Sequence, residues 1–555
     1  MSSSRPSVTL IPPPSNLPRE HHGPFKPSKP DLLTSINPLA SAPPQPDINT
    51  DSDRPFHKPK YFKNPWPSYR SASLHDAYLA YQLGAAVALP PHKTPGSSKL
   101  GLVDEEPFGE YEDENNDDPR DGEGSLRAEA ESMIPKGLYI RPDFAEVRED
   151  DEKDDWRDPP VEVVEPNWGD GADKRERVTW LGHAGVLVQI PWKDGKEATC
   201  GVIFDPIFSY RCSPSQYVGP ARYLDPPCPV SMLPEIHACC ISHDHYDHLD
   251  YYTIMDLWKY HQATIHFFVP MGLKQWFTSS GIPGHRVTEL DWWHETLLTF
   301  PTEDSRYRDA SFDAGADVSQ HNDDTYPPPT GTQDGDPRLS TETDYTSPSS
   351  LSLKLAFTPA QHRSGRGVFD HMTTLWGSWC LGVVEEEDKA LVGKRGMNGW
   401  KGFKVFFGGD TGYRYATAVE GDDTAICPAF EHIAEQYSPF NLSLLPLSTG
   451  SSLPFLRTVL SLSLDQYTLT SSLHCSPADS LEIHRIIRAE RSLGIHWGTF
   501  CDADEARGTR VDFGRCRRRV GVSGAWEDQD DGATAEGRFV VGDIGQTFVL
   551  PSRKG

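Results

Sequence analysis

The stretch Ile241–Asp250, ISHDHYDHLD, places three histidines and three aspartates in ten residues. It follows EIHACC (235–240), an apolar run that reads as a buried strand. In an extended or turning chain alternate side chains point the same way, so His243 and His245 can grip one cation. Asp247 and His248, past the bend, face a second position. Imidazole with carboxylate suits zinc or another borderline transition metal. Buried without a metal, such groups would cost several kcal/mol in unpaired polar atoms. A strand ending in donors is a rigid platform for a metal site, whereas a merely solvated charged turn needs no such platform.

Two cations need more ligands than four. LAFTPAQH (355–362) ends in His362, KVFFGGD (404–410) ends in Asp410, and LGIHWGTF (493–500) holds His496. Each alone could be an ordinary polar residue; their shared place at the ends of apolar runs makes all three candidates. Around them, RVTWLGHAGVLVQI and CGVIFDPIF read as strands, the second ending at Asp205. HACCIS and TIHFFVP are two more, with a helix over DYYTIMDLWKYHQ between them. Strand-like runs resume in LSLKLAFTPAQH, TTLWGSWCLGVV and KGFKVFFGGDTGY, and ADSLEIHRIIRAERSL predicts an amphipathic helix. GIHWGTF, next in the chain, reads as a short strand or turn. Two strand series with interleaved helices predict one large α/β domain, two sheets faced by helices.

The formal net charge of the 555 residues is -28, and residues 104–165 carry 24 Asp and Glu against 7 Lys and Arg, a net of -17. No basic face is present, which excludes a nucleic-acid footprint. The ten cysteines are scattered without a CxxC pair, as in reduced intracellular proteins. The opening MSSSRPSVTLIPPPSNLPRE lacks the apolar core of a secretory signal. Its Ser-rich, acid-poor composition is that of a mitochondrial transit peptide, but its prolines interrupt an amphipathic helix. No apolar run approaches the roughly 20 residues that span a bilayer. The expected location is intracellular and peripheral to membranes, cytoplasmic or mitochondrial. The expected organisation is a disordered tail over 1–60, a helical membrane-contact element over 61–100, and an acidic, largely disordered linker over 101–170. A catalytic domain over 171–520 follows, interrupted by a disordered 302–350 insertion, with a C-terminal extension over 521–555. In the second segment Ser73 and Asp76 fit a capping box, and the apolar run to Leu89 stops at Pro90.

The HDHYDH cluster resembles the HxHxDH signature of the metallo-β-lactamase fold. WLGHA, DPIFSYRCSPSQYVGP, ISHDHYDHLDY, LDWW, TPAQH, LWGSW, FFGGDTGY and HWGTF follow in order, after NPWPSY near residue 65. Together they are similar to the N-acylphosphatidylethanolamine-hydrolysing phospholipase D family, in a fungal-type form. The resemblance implies an αββα sandwich and two Zn2+ per chain. His243, His245 and His362 would hold one ion, Asp247, His248 and His496 the other, and Asp410 would bridge them. Asp205 would orient a metal-bound imidazole from behind, and His474 would lie close to the substrate phosphate. With Asp247 and Asp410, His474 completes the implied catalytic set. A bridging hydroxide would attack phosphorus in a membrane phospholipid, releasing N-acylethanolamine and phosphatidic acid. Peripheral membrane contact is implied, through the Leu74–Leu89 helix or the Leu453–Leu473 segment, and a homodimer is one assembly open to the chain.

There are departures. The stretch between Leu445 and His474 is longer than usual in the family, Arg363 stands where an aromatic is common, and Leu473 where glutamine is usual. These positions bear on the acyl pocket and leave the exact lipid open. A lactonase or thioesterase-like hydrolase on the same fold is the alternative enzyme, and a metal-bound scaffold without catalysis the alternative outside enzymes. A nuclease on this fold would want a basic groove that the charge denies it.

Residues 302–350 hold hardly any large aliphatic side chains, so burial cannot offset the entropy of ordering them. Replacing them with a short Gly/Ser linker is expected to leave the melting temperature and metal content nearly unchanged; an unfolded product would overturn the one-domain reading.

Overall fold

Alternation along the strands builds two layers of core. In the computed structural model Val186, Val188, Val202 and Phe204 face one way and Leu187 and Ile203 the other, all fully buried. The structure describes residues 6–13, 17, 19–23, 61–87, 155–170, 172–193, 198–301, 349–367, 370–419, 421–448, 465–527 and 536–552.

One sheet has eight strands in the order β1 (Ser7–Ile11), β10 (Glu295–Pro301), β11 (Ser349–Thr358), β12 (Ser378–Val383), β13 (Lys404–Phe407), β14 (Phe440–Pro446), β15 (Ala489–Ile495) and β16 (Arg538–Val540). The other has seven: β17 (Thr547–Val549), β4 (Arg177–Gly182), β5 (Gly185–Pro191), β6 (Thr199–Phe204), β7 (Ile236–Cys240), β8 (His266–Pro270) and β9 (Val287–Leu290). A two-stranded ribbon pairs β2 (His22–Gly23) with β3 (Tyr61–Phe62). Each large sheet is antiparallel on one side and parallel on the other, the change falling at β13 and at β6. Parallel strands leave their carboxyl ends on one rim, where open α/β sheets place their ligands.

The sheets are welded face to face. Phe204 of β6 stacks on Phe407 of β13 with ring centroids 4.9 Å apart. Trp379 Nε1–H of β12 donates to the Ile241 carbonyl beyond β7 at 3.0 Å. Helices α2 (Tyr251–His261) and α3 (Lys274–Ser279) cover the outer face of the seven-stranded sheet through Ile254, Leu257 and Phe277. On the eight-stranded sheet, α4 (Ala429–Tyr437), α6 (Pro477–Ile486) and α7 (Ala503–Val520) add Phe430, Ile433, Leu481, Ile483 and Phe513 to the core. The remaining helices are α1 (Leu74–Val87) and α5 (Gln466–Thr470). This is the expected sandwich of mixed sheets between helices.

Several expectations need correction. The tail over 1–60 is not disordered throughout, because Ser7–Ile11 pairs antiparallel with β10 and buries Val8 and Ile11. The short apolar run SVTLI finds a sheet edge to complete, which its proline-rich neighbours disguise. Residues 521–555 are no mere extension, since β16 and β17 join both sheets, and Val163, in the expected linker, bridges to Ile544. The helix expected over 478–493 stops at Ile486: Arg488 takes a φ of 52°, and 489–495 become β15. The helix expected from Leu74 is present with its Ser73–Asp76 capping box, Asp76 N–H donating to Ser73 Oγ at 3.2 Å. Residues 24–60, 88–154, 302–348 and 449–464 lie outside the described residues.

No helix among the described residues is long and apolar enough to cross a membrane. None of the ten cysteines is in a disulfide.

Phe407 is fully buried at the weld between the sheets. Phe407→Ala is expected to lower stability by about 3–5 kcal/mol in a denaturant titration. A loss below about 1 kcal/mol would mean that the sheets are not joined at this point.

Candidate metal centre

The three aspartates of ISHDHYDHLD do three different things. Asp250 caps α2, accepting the Thr253 N–H at 3.2 Å, and Asp244 latches onto Gly365 N–H and Thr374 Oγ at 2.8 and 2.9 Å. Arg366 donates to the Asp244 and Leu249 carbonyls and lies over the Tyr246 ring, pinning the loop from outside. Only Asp247 turns inward with the histidines.

Two groups of donors result. In the first, His243 Nε2 and His245 Nδ1 are 2.9 Å apart, and His362 Nε2 is 3.2 Å from His245 Nδ1. Asp410 Oδ2 lies 3.9 Å from His243 Nε2 and 3.7 Å from His362 Nε2. In the second, His248 Nε2 is 3.2 Å from Asp410 Oδ2, His496 Nε2 is 2.8 Å from Asp410 Oδ1, and Asp247 Oδ2 is 4.0 and 3.9 Å from the same two nitrogens. Asp410 thus belongs to both.

The tautomers are set from behind. His362 Nδ1–H donates to the Leu473 carbonyl at 2.9 Å, and His496 Nδ1–H to the Ser448 carbonyl at 3.2 Å. His248 Nδ1–H donates to Asp205 Oδ2 at 2.7 Å. Ser242 gives its hydroxyl proton to Asp205, so its oxygen accepts from His243 Nδ1–H at 2.9 Å. One buried carboxylate therefore orients two imidazoles, one directly and one through a hydroxyl. Each Nε2 is left facing inward with a bare lone pair.

That arrangement fits metal ions. Metal–nitrogen bonds of about 2.0–2.1 Å in a tetrahedron set donors about 3.3 Å apart, near the 2.9 and 3.2 Å found in the first group. Lone pairs facing one another at such distances repel unless a cation lies between. His248 Nε2, His496 Nε2, Asp410 Oδ1 and His474 Nδ1 are buried with no hydrogen-bond partner, a cost that coordination removes.

The electrostatics agree. Burial works against the Asp410 carboxylate, yet the charges of His248 and His496 hold it well below the usual range. For Asp247 burial is likewise outweighed by His248 and His183. Burial is outweighed again at His248, which Asp410, Asp247 and Asp205 raise well above the ordinary value. Three imidazoles of the first group are held neutral: burial pushes His245 and His362 to about 3, and His243 well below its usual value. The positive charge that these carboxylates demand can come from a proton on His248 or from a cation.

The seven side chains expected as ligands come together, with Asp205 bonded to His248 and His474 beside Asp410. The His474 ring is 5.2 Å from that of His362, with Nδ1 3.7 Å from Asp410 Oδ2. One site residue was missed. His183 Nε2 lies 3.0 Å from Asp247 Oδ2 and falls in the second donor group. The WLGHA motif contains it, but a single histidine at a hairpin turn carries no spacing signal. His183, Asp205 and His496 all have left-handed backbones, with φ of 52°, 37° and 61°.

Residues 201–326 match the family described as beta-lactamase superfamily domain, and the fold is the metallo-β-lactamase fold. An uncharacterized protein of Mycobacterium tuberculosis is 29% identical over 344 residues, 61% of this chain and 63% of that protein. N-acyl-phosphatidylethanolamine-hydrolyzing phospholipase D 1 of Caenorhabditis elegans is 28% identical over 327 residues, 58% of this chain and 64% of that protein. Its mitochondrial namesake in Saccharomyces cerevisiae is 24% identical over 300 residues, 54% of this chain and 44% of that protein. The match thus spans less than two thirds of each relative.

Because Asp410 serves both donor groups, Asp410→Asn is expected to bind at least one zinc ion fewer per chain than wild type, measured by elemental analysis after gel filtration. An unchanged zinc content would remove Asp410 from the centre.

Proposed function

We propose that the chain is a zinc-dependent phospholipase D that hydrolyses N-acylphosphatidylethanolamine to N-acylethanolamine and phosphatidic acid. The observation that carries this reading is the closure of six ligand-type side chains, from the loop after β7 and the ends of β11 and β15, around the Asp410 carboxylate. The 28% identity to the C. elegans phospholipase D directs the choice of phosphodiester. His243, His245 and His362 would hold one ion and Asp247, His248 and His496 the other, with Asp410 between them.

When bound, two zinc ions supply Lewis acidity that activates water and neutralises phosphodiester charge. The chain's own groups do the rest. Asp205 and the Leu473 and Ser448 carbonyls fix the tautomers of the ligands, so the donor geometry is set before substrate arrives. His183 donates to Asp247 and holds its carboxylate towards His248 and His496. His474 faces Asp410 with its Nδ1 3.7 Å from Oδ2; burial keeps its imidazole neutral, and a neutral imidazole N–H there can bind a phosphate oxygen.

For membrane contact, α1 offers Leu74 and Tyr78, 81% and 58% exposed. Asp76, the one acidic or basic residue of Leu74–Val87 apart from His75, is buried against Tyr415 and Thr417. Contact there would be apolar and little affected by salt.

Attack of water at phosphorus places its oxygen on phosphatidic acid. Hydrolysis in oxygen-18 water with mass analysis of both products is expected to show the label there. Label in the N-acylethanolamine would overturn attack at phosphorus, and release of diacylglycerol would overturn the phospholipase D assignment. Chelator-sensitive turnover of a lactone or thioester with no lipid hydrolysis would replace it with another hydrolase of this fold.

A further inference from the structure

A second set of ligand-type side chains lies elsewhere. His21 Nε2 is 2.7 Å from Asp291 Oδ1, and His22 Nε2 is 2.8 Å from Asp291 Oδ2. One donor atom from each falls within 4.8 Å of the others. Neighbouring residues of an extended chain point to opposite faces. Here a turn, closed by His22 N–H donating to the Arg19 carbonyl at 3.0 Å, swings both rings onto one carboxylate. The rings meet edge to face at 4.4 Å, and His21 lies against Trp292 at 4.3 Å. His21 and Asp291 are buried, whereas the His22 side chain keeps an exposed edge. His294 stands near enough to feel the charges of Asp291, His21 and His22.

We infer that His21, His22 and Asp291 form a separate mononuclear site for a zinc-like divalent cation. Two imidazoles and a carboxylate are borderline-metal donors, and the open edge at His22 leaves a fourth position for water. The site has structural work to do. The β2–β3 ribbon is two residues long on each strand, too short to stand alone, and β1 is an edge strand of five. A cation here clips both to the turn after β9 and closes a loop of about 270 residues, where the entropic gain from a cross-link is large. This proposal is independent of the phospholipase reading.

The test uses the full chain, stripped of metal, reloaded with excess zinc and gel-filtered. Wild type is expected to hold about three ions per chain, and the H21Q/H22Q variant about two, with the donor groups around Asp410 still loaded. A second variant, H243Q/H362Q/H248Q/H496Q, which breaks both donor groups around Asp410, keeps the test sound should H21Q/H22Q fail to fold. Reloaded with Co2+, it is expected to retain about one ion, with the visible absorption bands of nitrogen and oxygen ligation. A wild type that saturates at two ions while H21Q/H22Q loses none, or an H243Q/H362Q/H248Q/H496Q variant that holds no Co2+, would overturn the site and leave a hydrogen-bonded clasp. Should H21Q/H22Q lose every bound ion, the clip stands and the dinuclear centre falls.

Discussion

Everything at the mouth of the sandwich answers to one carboxylate. Nitrogens of His243, His248, His362, His474 and His496 all lie within 3.9 Å of Asp410. A lone buried aspartate can be satisfied by two or three donors, so five imidazoles around it are an excess that a single proton cannot resolve. A divalent cation would resolve it, and the loops around Asp410 are placed to hold one. Gly409, just before Asp410, takes a φ of 58°, and a Cβ there would meet Ser242 Cβ at 2.8 Å. The loop of one sheet thus touches the ligand loop of the other, and only glycine permits the approach.

Behind the ligands the segments are tied through Gln361. Its side chain accepts from Ser68 Oγ and donates to the Ser472 carbonyl at 3.2 Å, while its backbone bonds Thr411 Oγ and Gly412 N–H at 3.0 and 2.7 Å. Asn64 adds a bond of 2.7 Å to the His362 carbonyl. The NPWPSY element, remote in sequence, is therefore part of the wall behind His362. Its continuation α1 is fixed by Asp76, which accepts from Tyr415 Oη at 2.9 Å and Thr417 Oγ at 2.6 Å, on the loop that leaves Asp410. A lipid surface pressed against α1 would act on the segments that carry His362 and Asp410 through two or three hydrogen bonds, with no long relay.

The ligand set was legible because seven residues stand at the ends of apolar strands, where alternation and termination are local signals. His183 was not, since its partner Asp247 lies 64 residues away and the turn holding it has no periodicity. Strands β1, β16 and β17 were missed for a related reason. Each has three to five residues and is stabilised by a neighbouring strand in a sheet already formed, not by its own pattern. The helix α7 escaped because RVDFGRCRRRV is dominated by arginine; its Val511, Phe513 and Cys516 are buried, but so is Arg515. At 487–489 the apolar pattern of α6 runs on unbroken into β15, and only the left-handed backbone of Arg488 separates them.

Strain completes the picture. His183, Asp205 and His496 hold left-handed conformations that cost on the order of 1 kcal/mol each for non-glycine residues. They persist because each is fixed by partners from another part of the chain. His496 N–H donates to the His183 carbonyl at 2.9 Å, Trp180 Nε1–H donates to the same carbonyl at 2.8 Å, and Asp205 Oδ1 accepts from Ser242 N–H at 2.7 Å. The first of these bonds joins the β4–β5 hairpin of one sheet to the end of β15 in the other. Neither sheet alone could hold the turn, so the donor geometry exists only when the sandwich is closed. A mutation that loosens the weld at Phe204 and Phe407 would therefore reach the ligands without touching one of them.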